Sequence, residues 1–151
     1  MTKGYLLDTN LLIALLWPAH SQHAAAVAWF KTHRALGWAT CPMTEAGFVR
    51  IISNPAFSRD FVTPVQALGV LRQNTDSKDH QFWIQDICLP EALKVFKDRL
   101  LGHQQVADAC LLSLAIRRRA KLATFDAGVA SLLDSAASRS SCLEVLNASI
   151  P

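Results

Sequence analysis

Tyr5-Leu6-Leu7-Asp8-Thr9-Asn10-Leu11-Leu12-Ile13 changes structural type around a single charged residue. Tyr5 to Leu7 is a continuous apolar run of the kind that a strand buried on both faces requires. Asn10 and Leu11 open an apolar helix, which Trp17-Pro18 stops near Leu16. Asp8 stands at the junction, where a carboxylate is costly to desolvate unless a cation or a set of donors compensates it. In sheets built from strand–helix units, the carboxyl ends of the strands are also where ligands bind. Asp8 is therefore a candidate site residue, and its weight depends on whether other acids join it.

Working outward, the same alternation repeats. Lys3 to Leu7 reads as the first strand. Ser21 is the expected N-cap of a helix running to about Ala35, which Gly37 ends. Trp38 to Cys41 is a short strand, and Pro42-Met43-Thr44-Glu45 starts a helix whose apolar face is Phe48, Val49, Ile51 and Ile52. Asn54-Pro55 stops it. Thr63-Pro64 pairs an N-cap with an N1 proline and opens a helix through about Gln73. Phe82-Trp83-Ile84 is the next strand, and Leu89-Pro90-Glu91 begins another helix. Gln104 to Arg119 is a helix with Val106, Ala107, Cys110, Leu111, Leu114 and Ala115 expected to face inward. Lys121 to Phe125 is a strand ending at Asp126, Val129 to Leu133 a short helix, and Cys142 to Leu146 the last strand. Strands alternating with helices predict an α/β fold, a mainly parallel sheet covered by helices on both faces.

With 151 residues, 51% of them hydrophobic and 18% charged, the chain suits one globular domain over residues 1–151. The apolar run Leu11 to Trp17 is too short for a membrane span and wrongly charged for a secretory signal, so a cytoplasmic protein is expected. Cys41, Cys88, Cys110 and Cys142 form no CxxC pair and are expected to be reduced thiols packed in the core. The net charge of +3 is mild, but Arg117-Arg118-Arg119 with Lys121 is dense; such cations also suit a helix C-terminus. His20 and His23 share a helix face without a third ligand, so no zinc site is expected there.

Four acids keep apolar company at element junctions. Asp8 and Asp126 end strands, Glu45 lies in the first turn of a helix, and Asp108 stands among Val106, Ala107, Ala109 and Cys110. Each alone has an ordinary explanation as a helix N-terminal acid or an Asx turn. Together they point to one pocket, because strand ends and the helices that follow them share one edge of a parallel sheet. Converging carboxylates repel each other unless a cation is present. Oxygen-only ligands suit Mg²⁺ or Mn²⁺, and such a site supports phosphodiester hydrolysis. Thr124, two residues before Asp126, is placed to orient a carboxylate or a water.

Leu7-Asp8-Thr9-Asn10, Thr44-Glu45, Val106-Ala107-Asp108-Ala109 and Ala123-Thr124-Phe125-Asp126 resemble, in order and spacing, the PIN-domain ribonucleases. The closest resemblance is to the VapC toxins of type II toxin–antitoxin systems, and Arg50-Ile51-Ile52-Ser53-Asn54-Pro55 is similar to one VapC subgroup. The resemblance implies a single PIN-like α/β/α domain with Asp8, Glu45, Asp108 and Asp126 as its acidic pocket. It implies Asp8 and Asp108 as direct ligands of Mg²⁺ or Mn²⁺, with Asp126 and Glu45 acting through water. It further implies a homodimer, cleavage of structured RNA (tRNA or rRNA), and a cognate VapB-like antitoxin. Ala127-Gly128-Val129 departs from relatives that carry polar or basic residues after Asp126. The alternative from a different class is a catalytically weak RNA- or protein-binding module on the same fold. Loss of pocket acids would mark that alternative, and all four are present.

Overall fold

The computed structural model describes residues 2–147, so the extreme ends of the expected 1–151 domain lie outside the described residues. Five strands, β1 (Tyr5–Leu7), β2 (Trp38–Thr40), β3 (His80–Phe82), β4 (Lys121–Thr124) and β5 (Leu143–Val145), form one parallel sheet in the order β3-β2-β1-β4-β5. The helices are α1 (Thr9–Leu16), α2 (His23–His33), α3 (Pro42–Ile52), α4 (Pro64–Thr75), α5 (Leu89–Leu93), α6 (Val106–Arg117) and α7 (Ala136–Cys142). The expected α/β class and the two-faced cover of helices are borne out.

The side-chain alternation of a strand builds both cores at once. Tyr5 and Leu7 enter one core with α1 and α3, through Leu11, Leu12, Phe48 and Ile52. Leu6 enters the other with α6, through Ala109, Leu112 and Ala115. A central strand buried on both sides has no polar position, which is why Tyr5–Leu7 is uninterrupted. Gly4 precedes it with φ +117°, and a Cβ there would lie 2.7 Å from the Gly37 carbonyl oxygen, so only glycine fits.

Several boundaries differ from the sequence reading for identifiable reasons. β3 is His80–Phe82 rather than Phe82–Ile84. It is an edge strand whose residues are half-buried or exposed, so it carries no apolar run to find. Trp83 is instead buried just past the ladder, with the Arg118 guanidinium 5.7 Å from its ring. The cap of α2 is Gln22, not Ser21, and no side chain bonds the helix there. The long helix starts at Val106, after a short 3₁₀ turn at His103–Gln105. This leaves Val106 and Ala107 exposed rather than inward. Helix α7 was not anticipated, because its sequence Ala-Ala-Ser-Arg-Ser-Ser-Cys has no apolar stripe; Ser135 caps it. The cysteines are free thiols, but only Cys41 is fully buried and Cys88 is exposed. Arg117 pairs with Asp86 at 2.5 Å, and Arg119 takes φ +56° where α6 ends. Thr63 caps α4 as expected, its hydroxyl accepting from the Gln66 N–H. Among the described residues no helix is long and apolar enough to cross a membrane.

Candidate active site

The strand order has a switch point at β1: the chain proceeds to β2 and β3 on one side, then returns to β4 and β5 on the other. Ligand crevices form outside the carboxyl ends of the strands at such a point. Leu7 is level with Ala123, so Asp8 and Thr124, the next residues on each strand, stand side by side at that crevice.

Asp8 is buried, and both of its carboxylate oxygens are engaged. Oδ1 accepts the Leu11 N–H at 2.8 Å, capping α1, and Oδ2 accepts a short hydrogen bond from the Thr124 hydroxyl. Thr124, itself fully buried, accepts the Asp126 N–H on the same oxygen at 3.0 Å. One hydroxyl thus fixes the Asp8 carboxylate and the backbone of Asp126 together. Asp126 is exposed, and its Oδ1 accepts the Gly128 N–H at 2.8 Å. Asp108 approaches from the first turn of α6.

The electrostatics tie these three acids together. Burial pushes the Asp8 carboxyl up to about 6; the bonds from Thr124 and Leu11 oppose this, and the charges of Asp108 and Asp126 add to it. Asp108 is likewise raised, by burial first and then by Asp126. Two carboxyls held up in this way, beside a third acid whose charge contributes to both shifts, are what a bound cation would relieve.

Glu45 stands differently. Its Oε1 accepts the Thr40 hydroxyl at 3.1 Å, and the same Thr40 oxygen lies 2.8 Å from Nε2 of His80. Glu45 is not among the charges acting on Asp8 or Asp108. Alternation explains the separation. Thr40 lies two residues beyond Trp38, on the α1–α3 face, whereas Thr124 lies two beyond Leu122, on the α6 face. Asp8, Asp108 and Asp126 therefore gather on one side of the sheet edge, and Glu45 reaches that edge from the other. Thr40 and His80 had no part in the sequence reading. The signal was available in Thr40, a strand-end hydroxyl that serves Glu45 as Thr124 serves Asp8.

The donor set consists of carboxylate oxygens, which suits a hard divalent ion. Among the described residues no three His, Cys, Asp or Glu side chains form a ready metal cage. The arrangement therefore fits an ion such as Mg²⁺, which uses one or two carboxylates and keeps most of its waters. Elsewhere, His20 and His23 are used locally: Nδ1 of His20 accepts the Gln22 N–H, and Nδ1 of His23 lies 2.7 Å from the Ala14 carbonyl oxygen.

The family model for the PIN domain matches residues 5–132, and the chain belongs to that family. It is 44% identical over 125 residues to Ribonuclease VapC39 of Mycobacterium tuberculosis, an alignment covering 83% of this chain and 90% of the relative. It is 43% identical over 127 residues to Ribonuclease VapC38 of the same organism, covering 84% and 88%. Ribonuclease VapC44, also from that organism, is 36% identical over 125 residues, covering 83% and 87%. The resemblance to VapC proteins drawn from the acidic motifs is borne out.

Proposed function

We propose that this chain is a Mg²⁺- or Mn²⁺-dependent endoribonuclease, the toxin of a VapBC-like pair. It would be a single domain over residues 1–151 that acts in the cytoplasm as a homodimer on tRNA or rRNA. The observation that carries the reading is the meeting of Asp8, Asp108 and Asp126 at the β1–β4 switch point, two of them with carboxyls raised by burial and by neighbouring acids. The ribonuclease names of the relatives support the reaction class. A VapB-like antitoxin is the expected partner.

Asp8 and Asp108 would hold the ion, with Asp126 and Glu45 acting through water. The ion's contribution when bound would be to polarise a phosphoryl group and to lower the pKa of a coordinated water. The protein's own contribution is positional. Leu11 N–H and the Thr124 hydroxyl hold the Asp8 carboxylate in one orientation, so no rotamer need be frozen during the reaction. Thr40 fixes Glu45 in the same manner from the opposite face, where its carboxylate can accept a proton from water.

The test is RNA cleavage by purified protein with Mg²⁺ or Mn²⁺. Asp8→Ala and Asp108→Asn should abolish cleavage and growth inhibition while leaving the circular dichroism of the fold unchanged. EDTA should stop the wild-type reaction. Cleavage that survives either substitution, or survives metal removal, would sink the assignment.

A further inference from the structure

Beside Glu45 a groove runs over the α3–α4 surface and ends at the edge strand. One stretch, of about 550 Å³, lies between Glu45, Leu68, Arg72, His80 and Phe82. The adjoining stretch, of about 500 Å³, shares Glu45 and Leu68 and extends to Arg50. Its construction follows from periodicity. Leu68, Leu71, Arg72 and Thr75 form one stripe of α4. His80 and Phe82, two apart on β3, share the strand face of Thr40, with which Phe82 is in register.

Three features of this groove have no structural use. Arg50 and Arg72 are exposed, and neither guanidinium has a carboxylate within ion-pair reach among the described residues, whose ion pairs involve His33, Arg34, Arg117 and Lys121. They flank Glu45, one on α3 and the other on α4. Phe82 is 51% exposed at the end of β3, an aromatic face open to solvent at the same sheet edge as the candidate active site. Two unpaired cations on either side of a carboxylate at the reaction edge, with an open ring beyond, complement a single-stranded polyanion that carries planar bases.

Resting on the ribonuclease reading above, we propose that this groove is the track of the RNA strand next to the cleaved bond, with Arg50 and Arg72 each taking a phosphate and Phe82 stacking on a base. Glu45 joins track to chemistry, because it lines both stretches and is held by Thr40. The strand is recognised here through its backbone charge and a ring face, neither of which depends on base identity. A groove of this kind therefore tolerates many sequences, and it requires the bases at this point to be unpaired.

The experiment measures binding of a short fluorescein-labelled single-stranded RNA of mixed sequence to full-length Asp108→Asn protein in EDTA, across a range of salt. Each lost phosphate contact on a single strand lowers the log–log salt slope by about 0.7. Arg50→Gln and Arg72→Gln should each lower the slope by that amount. Phe82→Leu should weaken binding about tenfold with the slope unchanged, and Phe82→Tyr should restore it, since stacking survives the added hydroxyl. All three positions, Arg50, Arg72 and Phe82, are on the surface, and thermal melting checks that each variant is folded. Unchanged slopes in both arginine variants, or equal binding by Phe82→Leu and Phe82→Tyr, overturn the track. A wild-type protein that fails to cleave RNA with Mg²⁺ would refute the nuclease reading instead, whatever the groove variants do.

Discussion

Asp8 illustrates how a candidate site residue opposes the stability of its own fold. Its carboxyl has an ordinary value of 3.8 and is raised to about 6, chiefly by burial. The folded state therefore binds this proton more tightly than the unfolded chain does. Metal-free stability should fall as pH rises through the window from about 4 to 6, then stay level above it as far as this group is concerned. The full effect is about 3 kcal/mol at neutral pH. Asp8→Asn, which keeps an acceptor for Leu11 N–H, should make the metal-free protein more stable than wild type at pH 7 and flatten that pH dependence. Urea denaturation at several pH values measures both, and a less stable Asn variant with an unchanged pH profile would contradict the account. Thr124 gives the complementary case. Thr124→Val leaves an Asp8 oxygen and the Asp126 N–H without their shared partner in a buried site, and should cost about 1–3 kcal/mol. Thr124→Ser should recover most of the loss of stability and of RNA cleavage.

Among the elements, the contact between α1 and α3 sets how closely Glu45 can approach the sheet edge. Gly47, two residues after Glu45, faces Thr9, the first residue of α1. A Cβ at Gly47 would lie 2.7 Å from Thr9 Cγ2 and 3.0 Å from its Oγ1. Thr9 is branched and held at a helix start, so the helices rather than the side chain must yield. Gly47→Ala should destabilise by about 1–3 kcal/mol, the usual cost of overpacking, despite its better helix propensity. Thr9→Ser removes the methyl and should recover a large part of that loss. A double-mutant cycle reads the coupling, and additive effects of the two changes would show that the close approach is not the cause. Element boundaries were legible where the chain is locally marked, as at Thr63-Pro64 for α4. The sequence reading misplaces β3 and misses α7 altogether, because neither carries an apolar pattern: one is an edge strand and the other is largely exposed.

For the whole molecule, the sheet brings acids from separate elements close enough to perturb one another. A divalent cation bound between them should stabilise the fold by mass action. Wild-type protein at pH 7.5 should show a melting temperature that rises with Mg²⁺ or Mn²⁺ concentration, and Asp8→Asn should respond far less. A rise of equal size in both would place the ion elsewhere. This readout needs no RNA, and so it separates metal binding from activity.

The local pattern of this sequence is enough to determine an alternating α/β chain, a central strand with no polar position, and four acids at junctions that share one sheet edge. Those properties depend on chain direction and on neighbours a few residues away. Only the tertiary structure decided from which side each acid arrives. The pairing of Leu7 with Ala123 puts Asp8 beside Thr124, and strand parity sends Thr40 and Glu45 to the opposite face. That division depends on register between strands more than a hundred residues apart, which local periodicity does not encode. The groove beside Glu45 has the same origin, since packing of α4 against α3 brings Arg72 to the groove that Phe82 of the edge strand also lines.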